Sequence, residues 1–384
     1  MTDTRHGPTP LPAPKRLGWT GWRNRLAASR AFQRWASRFP LTRGFARREG
    51  EAIFDLVSGF VYSQVLLALV ELRLLRRLAE GPASAAALAG RAAVPTDRLE
   101  TLLRAGAAIG LLKRRRDGRF DLAQRGAALL GVPGLEAMIR HHRVLYRDLE
   151  DPVAFLRGET ETELAGFWPY VFGAAAAGDP QTAQTYSDLM ADSQLLVAED
   201  VLQTVSFRGV SHLMDVGGGT GAFLAAVGAA HPGLTMTLFD LPVVVPGAEA
   251  RFATAGIADR VRVVPGSFRD DPLPPGADAI SLIRVLYDHE DDTIVALLSQ
   301  VRAVLPSDGL LVVAEPMLGG VTPDRAGDAY FAFYCMAMRT GRTRSADQIA
   351  ELLRAAGFTG IETPRPRRPF VASVVTARAG STPA

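Results

Sequence analysis

The sequence predicts an α/β protein built in two parts: a helical, winged-helix-like domain, then a parallel, Rossmann-like sheet with helices on both faces. Three observations carry the prediction. From Val210 onward, short apolar runs alternate with helical patterns, and alternation of that kind builds a parallel sheet joined by helical crossovers. Residues 84–122 hold two short helical patterns and then a hairpin turning at Asp117-Gly118, the pattern of a winged helix. Between a strand pattern and a helix pattern lies Asp215-Val-Gly-Gly-Gly-Thr-Gly221, a turn whose four glycines let the backbone approach a ligand.

The first element is a basic arm, residues 1–48. It holds eleven Lys and Arg against Asp3 alone, a net +10 in a chain whose total is +3. Pro8, Pro10, Pro12 and Pro14 prevent regular structure at its start. Trp19, Trp22 and Trp35 follow, and Ala28, Phe32, Trp35 and Phe39 fall at helical spacing with arginines between them. Interleaved basic and aromatic side chains on a helix suit peripheral attachment to an anionic membrane, inner or intracytoplasmic, or packing on a partner subunit. No secretory signal is expected, since no apolar core follows the charged stretch. Cys335 is the single cysteine. That excludes a disulfide framework and a multi-cysteine zinc site, suits a reducing cytoplasm, and leaves no metal expected.

Residues 49–130 form the winged-helix-like domain. Arg48 to Glu80 reads as helix, closed by Gly81-Pro82. Its most apolar run, 53–70, carries Asp55, Ser58, Gly59, Ser63 and Gln64, too polar and slightly short for a membrane span. It reads as a buried dimerisation or core helix. A winged helix raises DNA binding. However, Leu99, Leu102, Leu103, Ala105, Ala107 and Ala108 leave the second helix few groups to read bases. A dimerisation module fits better, implying a homodimer and no nucleic acid. Residues 131–205 read as linking and pocket-building helices, and 206–378 as the sheet domain. Its strand candidates are Val210–Met214, Leu234–Phe239, Val261–Val264, Ala279–Leu282 and Leu310–Ala314.

The glycine turn marks the carboxyl end of the first of these strands, where open α/β sheets bind ligands. Nineteen residues past Gly221, the next strand ends in Asp240, the spacing at which an acidic residue meets a ribose. The cofactor is therefore a nucleoside. Asp215, just before the glycines, would repel a pyrophosphate but suits a cationic amino-acid tail.

Together these motifs are similar to those of the caffeate/hydroxyindole type of class I O-methyltransferase, over about residues 50–378. Asp215-Val-Gly-Gly-Gly-Thr-Gly221, Phe239-Asp-Leu-Pro242, Gly266-Ser-Phe268 and Ala314-Glu-Pro316 carry the resemblance. A closer resemblance is to the carotenoid O-methyltransferases of purple bacteria, which act on demethylspheroidene or hydroxyneurosporene. It rests on the arm segment 31–43, Gly59-Phe-Val-Tyr-Ser-Gln64, Val285-Leu-Tyr-Asp-His289, Glu315-Pro-Met317 and Asp328-Ala-Tyr-Phe331. The resemblance implies S-adenosyl-L-methionine as cofactor. It places Asp215, Gly217, Gly219 and Gly221 at the methionine and ribose portion, Asp240 on both ribose hydroxyls, Phe268 on the adenine ring, and Arg284 among the cofactor-binding residues. Ser267 stands where an adenine-binding Asp is usual, so that contact is expected to be weaker.

The catalytic positions depart from the family. Plant members carry a His base in Leu-His-Asp-Trp; this chain reads Leu286-Tyr287-Asp288-His289. Glu315 matches one family carboxylate, while Thr343 replaces a second. Much of the acceleration can come from in-line positioning and desolvation, and a group need only take the proton as the C–O bond forms. The candidates are Tyr287, Asp288, His289, with His141 and His142 on a preceding helix; Tyr287 and His289 rank first because they adjoin the active-site strand. For the acceptor, Phe167, Trp168, Tyr170, Phe172 and Met190, with Tyr330, Phe331, Phe333, Tyr334, Met336 and Met338, enrich three short stretches in aromatic and sulfur-bearing side chains. Such a surface fits a long hydrophobic substrate. The expected activity is O-methylation of a hydroxylated carotenoid intermediate. Alternatives are a phenolic or polyketide acceptor, or a non-catalytic cofactor-binding winged-helix regulator.

Overall fold

In the computed structural model, the described residues are 19–166 and 193–380. The described part of the basic arm is helical: α1 (Trp19–Ala28) and α2 (Arg30–Arg38) precede α3 (Arg43–Glu71). Along α2 and the residue that ends it runs an aromatic ridge, with Phe32 against Trp35 at 5.6 Å and Trp35 stacked on Phe39 at 4.9 Å. The helix α3 runs unbroken across residue 48, where the arm was expected to end. It stops where Arg73 adopts a left-handed backbone (φ 54°) and the chain turns into α4 (Leu74–Ala79).

Only the last turns of α3 are core. Leu67, Leu69 and Val70 pack with Leu74, Leu75, Leu78, Leu99 and Phe120. The earlier turns leave Phe45, Ile53, Phe54, Leu56, Val57 and Phe60 exposed. The expectation of a buried helix thus fails within one chain, because Leu56, Val57 and Phe60 lie around the helix beyond the reach of its neighbours. By length and composition α3 is also apolar enough to cross a membrane, with 17% of its most apolar window buried.

The wing is formed as the sequence predicts. Helices α5 (Ala85–Ala92) and α6 (Thr96–Ala108) lead to antiparallel β1 (Leu112–Arg114) and β2 (Phe120–Leu122). Gly118 supplies the positive φ (82°) of the turn, and Asp117 accepts from the Arg119 amide. Helices α7 (Gln124–Leu130), α8 (Leu135–Asp148), α9 (Pro152–Leu156) and α10 (Glu163–Gly166) follow. Asp148 joins α8 to α10 by accepting from the Glu163 and Leu164 amides at 2.7 and 3.0 Å.

After a helical stretch over 193–204, the chain builds a seven-stranded sheet. Its strands are β3 (His212–Val216), β4 (Thr235–Asp240), β5 (Val261–Pro265), β6 (Ala279–Ile283), β7 (Leu310–Glu315), β10 (Phe358–Glu362) and β11 (Ser373–Ala379), in the order β10-β11-β7-β6-β3-β4-β5. The first five are parallel, whereas β10 and β11 are antiparallel, so the sheet is mixed. Strand order reverses at β3, with β4 on one side and β6 on the other. That switch point is where a doubly wound sheet opens a crevice at its carboxyl edge. Helices α11 (Ala222–Ala230), α12 (Val245–Thr254), α13 (Asp291–Val304), α14 (Ala332–Met338) and α15 (Ala346–Ala355) belong to this domain, and separate apolar clusters cover the two sheet faces. Short β8 (Met317–Leu318) pairs with β9 (Arg344–Ser345) beside it.

Candidate active site

The strand β3 begins two residues later than the sequence reading placed it, so Asp215 is a strand residue. Its side chain is fully buried, and Oδ1 accepts from Ser281 Oγ on β6 at 2.6 Å. Oδ2 has no protein partner, and burial pushes the carboxyl up to about 7. The following glycines divide by physical role. A Cβ on Gly218 would lie 2.3 Å from Asp215 Oδ2, and one on Gly221 would lie 2.3 Å from the Phe252 ring. These two permit internal packing. Gly217 instead lies in the wall of a cleft. Gly219 donates its amide to Asp240 Oδ2 at 2.6 Å.

That cleft follows the switch point. It gathers Gly217 after β3, Asp240 and Leu241 at the end of β4, Gly266-Ser267-Phe268-Arg269 after β5, and Arg284, Val285, Asp288 and His289 after β6. The Asp240 oxygens each take one backbone amide, from Gly219 and Leu241. A carboxylate has about four acceptor positions, so two remain for ligand hydroxyls. Phe268 offers a ring braced edge-on by His289 at 5.2 Å. A carboxylate on one strand end and an aromatic face on the next suit a ribose and an adenine. Asp215 departs from expectation: it stands behind Gly218 rather than in the cleft wall. Ser267 is occupied locally, its amide bonded to Asp271 and its Oγ accepting from the Arg269 amide.

His289 lies on this side as well. Arg269 Nη2 donates to its Nδ1 at 3.0 Å, so any ring proton sits on Nε2. Burial, with Arg269 and Arg344 nearby, drives it down to about 3. The ring lines the cleft and not the apolar cavity described next. The backbone after β6 carries it past Arg284 toward Phe268.

A second, apolar cavity of about 460 Å³ lies between α8, the helix over 193–204 and the segment 325–334. Its wall includes Met138, Leu196, Tyr330, Phe331, Tyr334 and Phe370. Of the expected substrate residues, Tyr330, Phe331 and Tyr334 are there. Met338 is not: it is fully buried in a cluster with Val144, Leu145 and Leu164, because α14 turns that face toward α8 and α10. Phe333 joins the same cluster, stacked on Phe155. Phe167, Trp168, Tyr170, Phe172 and Met190 lie outside the described residues. Sequence reading missed Met138, Arg325 and Phe370, which carry no motif. Tyr330 and Phe331 enter the cavity from a π-helical turn, Arg325–Phe331, capped by Asp324 through the Ala326 and Gly327 amides.

Arg284 belongs to both walls. It holds a left-handed backbone (φ 60°), a conformation that costs a non-glycine residue about 1–2 kcal/mol and that clusters at functional sites. Its Nη1 donates to Ser193 Oγ at 2.7 Å and its Nη2 to Tyr287 Oη at 3.2 Å. Tyr287 is itself buried, 1% exposed, and among the described residues is in the wall of neither cavity. Burial pushes its hydroxyl well above the usual range.

The carboxylates beneath are equally enclosed. Glu315, ending β7, is fully buried and accepts the Tyr287 amide through Oε2 at 3.2 Å. Its Oε1 has no protein partner, and burial pushes it up to about 8. Asp288 reaches the cleft wall but is raised to about 7 by the same cause. Buried Arg344, which no motif reading singled out, ties the loop down. It donates to the carbonyls of Leu286 and His289 at 3.0 and 2.9 Å, and to Asp291.

Comparison with known proteins agrees with this architecture. Residues 146–359 match an O-methyltransferase domain and residues 54–131 an O-methyltransferase dimerisation domain. The chain belongs to the O-methyltransferase family. It is 60% identical to the demethylspheroidene O-methyltransferase of Cereibacter sphaeroides, covering 95% of this chain and 97% of that one. Identity to the Rhodobacter capsulatus enzyme of the same name is 53%, covering 97% and 93%. Among solved structures, human N-acetylserotonin methyltransferase in complex with S-adenosylmethionine superposes with a TM-score of 0.74 at 25% identity, covering 87% of this chain and 98% of that one. Within this O-methyltransferase, then, the first cleft is the candidate donor site and the apolar cavity the candidate acceptor site.

Proposed function

We propose that this O-methyltransferase transfers the methyl group of S-adenosylmethionine to a hydroxyl of a hydroxylated carotenoid intermediate, as a homodimer. The observation that carries the reading is the meeting of the donor cleft and the apolar cavity at Arg284. A cavity of that volume and lining suits a hydrocarbon chain that ends in a single polar group. The relatives named demethylspheroidene O-methyltransferase support the acceptor class. The dimerisation-domain match and the uncovered apolar length of α3 support the homodimer.

When bound, S-adenosylmethionine supplies a methyl already activated by its sulfonium. Asp240 would hold the ribose hydroxyls on its remaining lone pairs, Phe268 would face the adenine, and Gly217 and Gly219 would border the ribose and methionine portion. Phe331, Tyr334, Leu196 and Met138 hold the acceptor chain and exclude water from its hydroxyl, which raises the reactivity of that oxygen and orients it. Tyr287, Asp288 and Glu315 shape the loop that carries Arg284 between the two cavities. A tertiary alcohol lies far above these side chains in pKa, so its proton leaves as the new bond forms.

The arm is proposed to rest on an anionic membrane from the cytoplasmic side. Its arginines and the half-exposed Trp22 and Trp35 support this. The deciding assay incubates the purified chain with methyl-labelled cofactor and either a 1-hydroxy carotenoid or simple phenols, with and without anionic liposomes. Transfer to the carotenoid is expected, and transfer to phenols alone refutes the acceptor. Deleting residues 1–48 should weaken liposome binding; unchanged binding refutes the membrane arm.

A further inference from the structure

We propose that the pair Tyr330–His142 accepts the proton of the acceptor hydroxyl. The inference rests on the methyltransferase reading above, with the apolar cavity as the acceptor site.

The position of Tyr287 is closed to substrate, its hydroxyl accepting from Arg284 and its ring buried. His289 faces the donor cleft with Nδ1 engaged by Arg269. Glu315 is fully buried, holds the Tyr287 amide through one oxygen and lines neither cavity. Among the described histidines, His142 is in the cavity wall. Its Nε2 lies 2.6 Å from Tyr330 Oη, with the rings edge to face at 5.4 Å. Both residues share that wall with Arg284, where the donor cleft begins.

The pair is positioned from two sides. The helix α8 presents His142, and the π-helical turn presents Tyr330. That turn is held close by Gly327, whose missing Cβ would fall 1.9 Å from the Met317 carbonyl. π-Helical turns recur at functional sites because the inserted residue redirects its neighbours. A parallel contact one turn along, His141 Nε2 to Tyr334 Oη at 2.9 Å, fixes the register of the two elements.

The chemistry follows from a hydroxyl's dual character. Tyr330 Oη donates to neutral His142 Nε2 and keeps lone pairs for a substrate hydroxyl. As the acceptor oxygen bonds to the methyl carbon, the electron pair of the broken C–S bond stays on sulfur. Tyr330 Oη takes the hydroxyl proton while passing its own to His142 Nε2. The single positive charge that entered on sulfonium ends on the imidazole, so charge and protons balance. Burial holds His142 below its usual range, keeping it unprotonated at neutral pH. The groups around the pair are His141 and Tyr146 on α8, Arg325, Tyr334 and Cys335 from the facing segment, and Arg284.

The test uses the full chain. His142→Gln and Tyr330→Phe are assayed for carotenoid methylation across pH, for cofactor affinity by calorimetry, and, without cofactor, by NMR titration of 13C-labelled histidines. Loss of general-base action costs about 10²-fold or more, so kcat should fall by that factor for His142→Gln, with KM and cofactor affinity within about threefold. The acid limb of the wild-type kcat profile should vanish with it. In the cofactor-free protein, His142 should titrate below 6.5 and shift in Tyr330→Phe. Near-wild-type kcat in His142→Gln, or an unchanged acid limb, overturns the proposal; so does a His142 resonance at 6.5 that ignores Tyr330→Phe. Wild-type inactivity on the carotenoid would instead indict the acceptor assignment, which separates the two failures.

Discussion

Replacing Arg344 by alanine tests how the site is held. The guanidinium is 1% exposed and makes its bonds to Leu286 O, His289 O, Arg342 O and Asp291. Removing it strands the buried His289 carbonyl, which costs about 1–3 kcal/mol when unsatisfied, while Leu286 O keeps the His289 amide at 3.2 Å and loses only its charge-assisted bond. The Asp291 contact adds less, because that carboxylate is 44% exposed and keeps Arg342 as a partner. The sum is about 2–4 kcal/mol, at or below the cost of breaking a buried charged network. Arg344→Lys reaches fewer acceptors at once and should lose about half. The carbonyls it frees bound the segment that carries Tyr287 and Asp288, so the junction at Arg284 should loosen. A misplacement near 1 Å costs about 10²-fold in rate. Urea unfolding of cofactor-free protein gives the stability change; turnover below the transition gives kcat. Destabilisation under 1 kcal/mol would refute the stranded-carbonyl argument. Full destabilisation with unchanged kcat would refute the link to the site.

Gly341→Ala presses on the same loop from the other side, since a Cβ there falls 2.3–2.5 Å from backbone atoms of residues 287–289. Overpacking of that kind should cost about 1–3 kcal/mol and depress kcat, and an unaltered urea midpoint would show that the loop yields freely. Asp240→Asn keeps two acceptor lone pairs but loses the charge. Cofactor affinity by calorimetry should fall about tenfold or more, and unchanged affinity would remove Asp240 from the ribose site. For pH, Glu315 is raised to about 8, so its stabilising effect is full below its unfolded pKa near 4.5 and is lost as pH rises toward 8. His141 at about 4 and His289 at about 3 act oppositely: their depressed folded values make stability fall as pH drops below 6.5. The urea midpoint should decline from pH 6 to 8, and Glu315→Gln should flatten that limb by about 1 kcal/mol per pH unit. A parallel decline in the variant would contradict the assignment.

Local pattern made the α/β plan, the wing and the donor cleft legible. Glycines, the strand-end carboxylate Asp240 and Phe268 are recognisable because the sheet needs them at fixed distances along the chain. The edge pair β10–β11 was missed because a short one-sided strand such as Phe358–Glu362, with Gly360 inside it, becomes a strand only when β11 arrives beside β7. The acceptor side fared unevenly for a similar reason. Tyr330, Phe331 and Met338 look alike in sequence, yet the π-helical turn sends two into the cavity and α14 buries the third.

The sequence alone determined the family chemistry of the donor half: a nucleoside cleft at the carboxyl edge of a switch-point sheet, with the expected catalytic histidine replaced by Tyr287. Tertiary structure decided which of the remaining groups line the apolar cavity proposed for the acceptor. Tyr287, Asp288, His289 and Glu315 are close in sequence or motif, but burial and backbone direction turn them to other tasks. His142 and Tyr330, 188 residues apart, meet across the cavity because α8 packs beside α14, which continues the π-helical turn. No local pattern encodes that distance, since it is set by how two helices dock.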